Sequence, residues 1–463
     1  MEADRSLSEK TGTKLMRYML VTVALSSMSV QLFSIVIPQI SRELDLSLSQ
    51  VSWLSSGYIL VYAFGTVTYG KLADRYRLKN VLTAGLAFFA LGSLVGWLSP
   101  SFEVALAGRL MQAAGASAVP AMAMIIPIRY FAPERRASAM SMTAIGLALG
   151  SVLGPVVSGI VLSFAHWRWL FVPPMLLLIL LPFFRKYLNV PTNSSPSRFD
   201  WIGGGILFAA MTLLLLGITY GSWGPIVLGI LALPVFYFRI RHSPHPFIQP
   251  GLFRNAGYRT GLWMTFLIAG IANGLFYLSP VMFSDVYGTE SQWIGYALVP
   301  AALASALFGK KGGKLADRQG NAALYTLASG LLILCFVLLS LLVGEISMWL
   351  IPAFLIFGNV GQTFMQVAIA NTVSTTLAQD QVGVGMGLFS MTNFIALGMT
   401  TGVYSRLVER EALGWSWLHA DPLSASFGHI YLVLALMHAG IFMHYRARFA
   451  KTKPAGSSLD TAG

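Results

Sequence analysis

The chain has 463 residues, of which 56% are hydrophobic and only 11% are charged, and its mean hydropathy is +0.68. These values exclude an ordinary soluble domain and indicate a chain that lies in a lipid bilayer. The formal net charge of +13 does not indicate nucleic-acid binding, because the basic residues are scattered through short loops instead of being gathered on one face. The single cysteine, Cys335, lies in an apolar segment, so we expect no intrachain disulfide and no metal site.

Fourteen apolar stretches follow one another along the chain, each near the 20 residues that cross about 30 Å of hydrocarbon. The sequence therefore predicts an all-α membrane protein with fourteen transmembrane helices, here called predicted spans 1 to 14. The polar residues before span 1 and the length of that span argue against a cleaved leader. In chain order the predicted spans are approximately 15–40, 50–73, 80–98, 104–127, 137–163, 168–184, 200–220, 223–240, 258–284, 292–310, 321–343, 347–370, 382–404 and 426–448.

The distribution of basic residues predicts the orientation in the membrane. An even number of spans places both termini on one side. With the termini in the cytoplasm, all but five of the 31 Lys and Arg lie in cytoplasmic segments, which is a strong positive-inside signal. We therefore expect a multi-pass protein of the cell membrane with both termini cytoplasmic. The exceptions are Arg42, Arg168, Arg406 and Arg410 in external loops and Arg109 within span 4.

The hexapeptide Gly-Lys-Leu-Ala-Asp-Arg occurs twice, at 70–75 and 313–318, each time directly after an apolar run. Each copy follows the second helix of a six-helix half if spans 7 and 8 belong to neither half, and transporters are commonly built from such repeats. The sequence thus predicts a 6+2+6 arrangement of pseudo-twofold halves around a central cavity. The predicted parts are an N-terminal bundle (1–190), a two-helix insertion (191–250), a C-terminal bundle (251–450) and a disordered cytoplasmic tail (451–463).

With this repeat, nearly the whole chain resembles the major facilitator superfamily. It is most similar to the fourteen-helix drug:proton antiporter branch and, within it, to the tetracycline/metal–proton exporters of Gram-positive bacteria. The resemblance implies that the repeated loops latch the cytoplasmic side of the outward-facing state. Arg77 stands where a glycine is usual in the first copy, whereas the second copy keeps Gly320. The implied gating residues are Gly70, Asp74, Arg75, Gly313, Asp317 and Arg318.

Span 5 carries a glycine series that resembles the antiporter signature of this superfamily: Gly146, Gly150, Gly154-Pro155 and Gly159. Steps of four residues place three of the glycines on one helix face. Small residues let a neighbouring helix approach closely, and the proline interrupts the backbone hydrogen bonds. We expect a tightly packed hinge that prevents leakage.

Span 4 carries Arg109-Leu110-Met111-Gln112 and Gly115, which resemble a family motif whose arginine lies near the proton path; Ala113 replaces the usual glycine. Burying an arginine costs at least about 2.5 kcal/mol, so an arginine in a span is a functional hypothesis. The alternative is that Arg109 extends to the external interface, five residues away.

The acidic residues that bind the exchanged proton in related antiporters are missing from spans 1, 5 and 13. The corresponding places hold Ser29 or Val30, Ser151 and Leu397. The coupling group is therefore unassigned, and a lone histidine on the last helix is more often structural. The candidates are Asp74, Asp317, Glu103, Asp285 and His438.

Arg109 then lacks a counter-charge in its half, which favours a substrate that brings its own carboxylate. Polar side chains within the spans must face the protein interior, either as cavity lining or as bonds between helices, and both interpretations stay open. The predicted substrate-binding residues are Gln31, Tyr58, Tyr62, Arg109, Gln112, Asn273, Tyr277, Asn359, Gln362 and Gln366.

The sequence predicts a proton-driven exporter of a small amphiphilic compound, drug or tetracycline-like, that works by alternating access as a monomer in the bilayer. A phosphate-binding loop at 65–71 is excluded because Leu72 replaces the required Ser or Thr, and no catalytic residues or cofactor are expected. Two alternatives stay open: an exporter of an endogenous anionic or zwitterionic metabolite, and a non-transporting membrane sensor on the same fold.

Overall fold

The computed structural model describes residues 2–131, 133–188, 200–244, 246–377, 382–409 and 421–448. The first helices are α1 (Glu2–Leu32), α2 (Ile37–Leu44), α3 (Leu48–Val51), α4 (Trp53–Arg75), α5 (Leu78–Trp97), α6 (Phe102–Ala116), α7 (Ala118–Tyr130), α8 (Pro133–Phe164) and α9 (Leu181–Tyr187). They are followed by α10 (Trp201–Tyr220), α11 (Trp223–His242), α12 (Ala256–Asp285), α13 (Ser291–Gln319), α14 (Asn321–Leu342), α15 (Ile351–Ser374), α16 (Val382–Glu409) and α17 (Pro422–Arg448). Short 3₁₀ helices cover Trp167–Phe171, Pro173–Leu180, Pro250–Arg254 and Met348–Leu350.

Twelve helical segments within the described residues are long and apolar enough to cross a membrane, where the sequence predicted fourteen. The two predicted spans outside this set, 50–73 and 137–163, correspond to α4 and α8. The twelve segments are Lys10–Leu32, Leu78–Trp97, Phe102–Pro127, Trp167–Tyr187, Trp201–Tyr220, Trp223–His242, Ala256–Asp285, Ser291–Gly309, Asn321–Leu342, Met348–Ser374, Gly385–Glu409 and Pro422–Arg448.

Composition explains this difference only at α4. Several residues of α8 lie outside the described part of the structure, so its described apolar stretch, Leu153–Phe164, is shorter than a membrane span. In α4, hydroxyl residues lower the hydropathy, but the Thr66 hydroxyl donates to the Tyr62 carbonyl at 2.8 Å and the Thr68 hydroxyl to the Phe64 carbonyl at 2.9 Å. A helix can thus be polar in composition while its hydroxyls are paired within its own backbone.

Prolines divide two of the apolar segments. Span 4 consists of α6 and α7, which meet at Ser117, because Pro120 has no amide proton for the carbonyl four residues earlier. Span 6 begins as two 3₁₀ helices and becomes α-helical only from Leu181, and it contains the pair Pro173-Pro174. The predicted span positions are right in both cases, but the sequence pattern did not predict these breaks.

The helices pack as two bundles with matching pairs. In the first bundle α1 packs along α8 and α5 along α6, and in the second α12 packs along α16 and α14 along α15. The two bundles meet along α8 and α13 and along α4 and α16. Between them α10 lies against both α4 and α16, so the α10–α11 hairpin touches both bundles.

The hairpin is closed at both ends by local chemistry. Gly221 ends α10 in the left-handed region, with φ of 62°, which favours glycine. At the other end Asp200 accepts from the Gly203 amide at 3.0 Å and from Arg239 Nη2 at 2.9 Å. The same carboxylate therefore caps α10 and binds α11.

Three polar contacts join the bundles at the end of the molecule opposite the first residue of α1, Glu2, and the last residue of α17, Arg448. Arg42 Nη2 donates to Ser284 Oγ at 2.9 Å, and Ser49 Oγ donates to Glu409 Oε2 at 2.6 Å. Ser52 Oγ donates to Ser405 Oγ at 3.3 Å. These residues lie at the end of α12, at the end of α16 and in the segment between α1 and α4, so the bundles touch at this end.

Candidate functional site

A cavity of about 130 Å³ lies between the two bundles. None of the described residues that line it is charged. The first bundle contributes side chains from α1, α4 and α8, and the second from α12 and α16. The lining consists of Ser27, Val30, Gln31, Ser34, Ser55, Ile59, Tyr62, Leu147, Asn273, Phe276, Tyr277, Phe394, Leu397 and Thr401.

An aromatic contact crosses the cavity. The Tyr62 ring meets the Phe394 ring edge-on, with ring centroids 5.0 Å apart. Behind it the Tyr58 ring stacks on Tyr62 at 6.0 Å. Tyr62 therefore faces the second bundle, whereas Tyr58 lies one layer deeper and does not line the cavity. Aromatic faces at this place suit a flat, apolar part of a ligand.

Amide side chains supply the polar lining. Gln31 lines the cavity from α1, and a Cβ on Gly154 would lie 2.7 Å from the Gln31 Cβ, so this glycine makes room for it. Asn273 Nδ2 donates to the Leu397 carbonyl at 3.1 Å and to Thr401 Oγ1 at 2.9 Å. Because its nitrogen holds α16, the carbonyl oxygen of Asn273 is the group available to a ligand.

Arg109 is completely buried inside the first bundle and does not line the cavity. Its Nη2 donates to the Ser29 carbonyl at 2.6 Å, its Nη1 to the Ser29 hydroxyl at 3.1 Å and its Nε to the Leu54 carbonyl at 3.1 Å. Nη1 also donates to Gln112 Oε1. Arg109 thus joins α6 to α1 and α4 and does not extend to the membrane interface.

Aromatic rings complete the surroundings of this guanidinium. Its carbon lies 3.8 Å from the Tyr58 ring centre and 4.4 Å from the Phe33 ring centre. No carboxylate of the described residues forms an ion pair with it. The sequence comparison placed Ser29 or Val30 where related antiporters carry an acid, and here the two Ser29 oxygens and the ring faces stabilise the buried cation without neutralising it.

The remaining predicted lining residues lie outside the cavity. Gln112 Nε2 donates to Ser93 Oγ at 2.8 Å, and Asn359 Nδ2 donates to the Leu355 carbonyl of its own helix at 3.0 Å. Gln366 accepts from Asn393 Nδ2 at 3.4 Å. With buried Gln362, these amides face the protein interior. The structure therefore brings Gln31, Tyr62, Asn273 and Tyr277 together and leaves Tyr58, Arg109, Gln112, Asn359, Gln362 and Gln366 outside the lining.

The glycines of α8 mediate two different helix contacts. A Cβ on Gly146 would lie 2.6 Å from the Leu20 carbonyl oxygen, and one on Gly150 would overlap the Ala24 carbonyl oxygen, so both face α1. Gly159 instead faces the second bundle, where a Cβ on Gly295 would lie 2.8 Å from its Cα and 2.9 Å from the Pro155 oxygen. The glycine series thus packs α8 on α1 and crosses α13.

The repeated hexapeptides end α4 and α13, but the side chains of Asp74, Arg75 and Asp317 and the surroundings of Gly313 lie outside the described part of the structure. Gly70 has open space at its Cβ position, and Arg318 is exposed. The two turns differ: Gly320 has φ of 86°, whereas Arg77 has φ of −59°. The first turn therefore does not need the glycine that Arg77 replaces.

The proton candidates lie apart from the cavity. Glu103 is exposed in the first turn of α6, and Asp285 ends α12 next to the Arg42 contact. His438 is fully buried in α17, with no hydrogen-bond partner among the described residues. Sequence reasoning missed Glu409, the described carboxylate that joins the bundles. The available signal was its position just after predicted span 13, at the end that the sequence predicts to be external.

Two helical bundles with a cavity at their contact are the architecture of a membrane transporter. The family model described as Major Facilitator Superfamily matches residues 19–401, and the chain belongs to this family. It is a multi-pass membrane protein.

The chain is similar to several curated transporters. It is 26% identical over 76% of its length to an uncharacterized MFS-type transporter of Mycobacterium tuberculosis and covers 63% of that protein. It is 23% identical over 83% of its length to the riboflavin transporter RibZ of Clostridioides difficile, of which it covers 86%. It is 25% identical over 67% of its length to Multidrug resistance protein 3 of Bacillus subtilis, of which it covers 63%. The chain thus spans less than two thirds of the length of two of these relatives.

Solved structures show the same fold. A POT family transporter in complex with a thioalcohol-conjugated peptide has a TM-score of 0.70 at 13% identity and covers 94% of this chain and 96% of its own. A bacterial homolog of the human lysosomal transporter Spinster, in an inward-facing and unoccupied conformation, has a TM-score of 0.63 at 15% identity, with 96% and 99% covered.

Proposed function

We propose that the chain exports a small amphiphilic compound by alternating access, in exchange for protons. The observation that carries this proposal is the position of the cavity: it lies at the contact between the bundles and takes side chains from both. A ligand held there contacts two bodies that move relative to each other in an alternating-access cycle. Binding therefore shifts the equilibrium between the two states.

The cavity lining favours a neutral or zwitterionic compound with a flat aromatic part. Tyr62, Phe276 and Phe394 offer ring surfaces, and Gln31 and Asn273 offer hydrogen bonds. The names of related proteins agree with such compounds, since they include multidrug resistance, methylenomycin A resistance and riboflavin transport. A tetracycline-like drug has this chemistry, and binding it requires a state in which the bundles enclose more space than the 130 Å³ seen here.

A flavin-like vitamin is the second candidate substrate. It is favoured by the riboflavin transporter, which matches 83% of this chain over 86% of its own length, and by the same aromatic and amide lining. An anionic metabolite is less favoured, because Arg109 already donates to neutral oxygens inside its own bundle and does not line the cavity.

We further propose fourteen crossings in all, with α4 and α8 added to the twelve apolar segments and both termini in the cytoplasm. α4 lies between the spans Lys10–Leu32 and Leu78–Trp97, and α8 lies between Phe102–Pro127 and Trp167–Tyr187. Each of the two helices must cross the membrane if the spans on either side of it run in the same direction. The halves would then be 1–190 and 251–450, with the α10–α11 hairpin as the insertion. In this orientation the Ser49–Glu409 contact closes the external side.

Protons are proposed to act through Glu409. Its carboxylate accepts from the Ser49 amide and hydroxyl of the first bundle and from Arg406 Nη1 of its own helix, at 3.2 Å. Protonation would remove its charge and weaken these bonds, which favours the outward-open state. Asp74 and Asp317 stay candidates for a second protonation site at the other end.

The test is efflux from inverted membrane vesicles of a pump-deleted host, driven by an imposed pH gradient and measured with and without a protonophore. The panel contains tetracycline, riboflavin, tetraphenylphosphonium and an acidic metabolite. We expect gradient-dependent transport of a neutral or zwitterionic aromatic compound. Gln31→Leu, in the cavity, should lower its apparent affinity about tenfold, whereas the matched control Gln366→Leu should not. Transport of none of these compounds by folded protein would favour the sensor alternative.

A further inference from the structure

A second cavity, of about 950 Å³, lies between the insertion hairpin and the second bundle. It forms because α11 packs on α10, while the 3₁₀ helix Pro250–Arg254 packs on α12. The gap between the last turn of α11 and the first turn of α12 therefore stays open. Its lining includes Phe236, Tyr237, Ile240, Arg241, Arg254 and Arg259.

The chemistry of this second cavity is amphipathic. The inner part of its lining is apolar, since it contains the buried side chains of Phe236 and Ile240. Three arginines, Arg241, Arg254 and Arg259, line it as well and are exposed. No lining residue in the described part of the chain is acidic, and none of the three arginines forms an ion pair with a described carboxylate. The cavity thus places three guanidinium groups next to apolar side chains, with no described carboxylate paired to them.

The contacts of these arginines leave their charge uncompensated. Arg259 Nη1 reaches only the Phe253 carbonyl, at 3.5 Å, and the Arg241 guanidinium carbon lies 5.0 Å from the Tyr237 ring centre. A carbonyl and a ring face orient a guanidinium without neutralising it. The arginines are therefore positioned and available for an anionic ligand.

The position of the cavity identifies the kind of anion. It opens beside side chains that face outward from the bundle, since Tyr237 is 52% exposed, Phe238 66% and Trp263 63%. All three belong to apolar segments long enough to cross a membrane, so this surface faces lipid. A ligand here has acyl chains on one side and three guanidinium groups on the other.

We propose that this cavity binds one anionic phospholipid, with the headgroup phosphate held by Arg241, Arg254 and Arg259 and an acyl chain along Phe236 and Tyr237. Basic pockets between membrane helices bind such headgroups, and arginine is suited to phosphate because of its planar donors. The lipid would join the insertion hairpin to the second bundle. This site is separate from the substrate cavity and does not depend on the proposed transport.

The experiment uses the full chain in mild detergent and counts bound molecules by native mass spectrometry. The probes are dioleoylphosphatidylglycerol, dioleoylphosphatidylcholine and glycerol 3-phosphate. We expect the protein to retain one phosphatidylglycerol at concentrations where it retains neither of the other two. Equal retention of phosphatidylcholine would overturn the proposal, and equal retention of glycerol 3-phosphate would show a site for soluble phosphates instead.

Variants localise the binding. Replacing Arg241, Arg254 and Arg259 together by Gln should weaken phosphatidylglycerol binding roughly 100-fold, since each basic residue near an anionic lipid contributes about fivefold. The matched control replaces three exposed arginines at the same end of the bundle, Arg185, Arg446 and Arg448, and should leave binding within about threefold. A triple Arg→Lys variant keeps the charge and should recover most of the affinity. Unchanged binding in the Gln variant would refute the site even if that variant is destabilised.

Discussion

Ser49 and Glu409, which are 360 residues apart in the chain, form a hydrogen bond of 2.6 Å between the two helical bundles. The Ser49 amide donates to the other oxygen of the same carboxylate. Both bonds end on a carboxylate that Arg406 holds from its own helix, at 3.2 Å. Hydrogen bonds to an ionised group are among the stronger ones in proteins, so this pair stabilises the state that is closed at this end.

Glu409→Gln should shift the protein toward the state that is open at this end. A hydrogen bond to a charged acceptor contributes about 1.5–3 kcal/mol, so the ratio of closed to open molecules should fall roughly 10- to 100-fold. The distance between spin labels on Leu98→Cys and Trp349→Cys, two exposed positions at this end, measures the shift.

Glu103→Gln is the control for this experiment. Glu103 is exposed on the first turn of α6, at the same end of the bundle. It should leave the label distances unchanged. Identical distance distributions for Glu409→Gln and the parent protein would contradict the assigned role of Glu409.

Gly295→Ala should open the same end by a steric route. The added Cβ would lie 2.8 Å from the Gly159 Cα and 2.9 Å from the Pro155 oxygen, so α13 and α8 must separate. Overpacking of this kind costs about 1–3 kcal/mol, and here only the closed state bears the cost. The same pair of spin labels should report a longer distance.

Gly330→Ala is the matched control for Gly295→Ala. Gly330 lies inside α14 with open space at its Cβ position, so the substitution should change neither the label distance nor the fold. If Gly295→Ala behaves in the same way, α8 and α13 do not meet at Gly159 when the protein is in a bilayer.

The fold class could be predicted from the sequence because hydropathy and a repeated hexapeptide are local properties. The breaks within spans could not be placed, although Pro120 and Pro173 are visible in the sequence. Membrane helices tolerate proline when neighbouring helices supply partners, so the pattern alone does not distinguish a kink from a break. The number of apolar spans differs from the prediction at α4, where hydroxyl residues lower the hydropathy although their hydroxyls are paired within the helix.

The candidate site was only partly predictable, and the amides show why. Asn273 and Asn359 both lie within apolar helices, yet Asn273 lines the cavity and Asn359 donates to its own backbone at Leu355. Both arrangements satisfy a buried amide, so the sequence cannot separate them. Glu409 was missed for the related reason that its partner, Ser49, is identified only by the packing of distant segments.

Asp200→Asn should loosen the base of the α10–α11 hairpin. Burial alone would raise the pKa of Asp200, but the Gly203 amide and the Arg239 hydrogen bonds and charge lower it overall below its usual value. We expect a loss of about 1–3 kcal/mol, because an N-cap and a charge-assisted bond are both weakened. Hydrogen exchange of the hairpin amides should rise accordingly.

The sign of the pH dependence follows from this lowered pKa. A depressed folded-state pKa gives stability that is complete above the unfolded value, about 3.9, and is lost as the pH falls through the folded value. The difference between Asp200→Asn and the parent protein should therefore be constant near neutral pH and decrease below about pH 4. Glu103→Gln, at an exposed site, should show no effect on the hairpin; a difference that increases on acidification would contradict the assignment.

Arg109→Lys should destabilise the first bundle without changing substrate selectivity. A lysine ammonium is a point charge and cannot reproduce the planar donors that reach Ser29, Leu54 and Gln112 at once. Losing these bonds on a buried cation should cost about 2 kcal/mol or more, seen as a lower unfolding temperature in detergent. Arg185→Lys, exposed at the end of α9, should have no such effect.

Measuring substrate binding distinguishes a structural role of Arg109 from direct contact between Arg109 and the substrate. Because Arg109 lies behind the cavity lining, the remaining folded Arg109→Lys protein should bind a neutral substrate within about threefold of the parent affinity. It should also show no selective loss of anionic compounds. If the variant keeps its unfolding temperature and loses only anionic substrates, Arg109 contacts the ligand directly and the cavity must extend to it in another state.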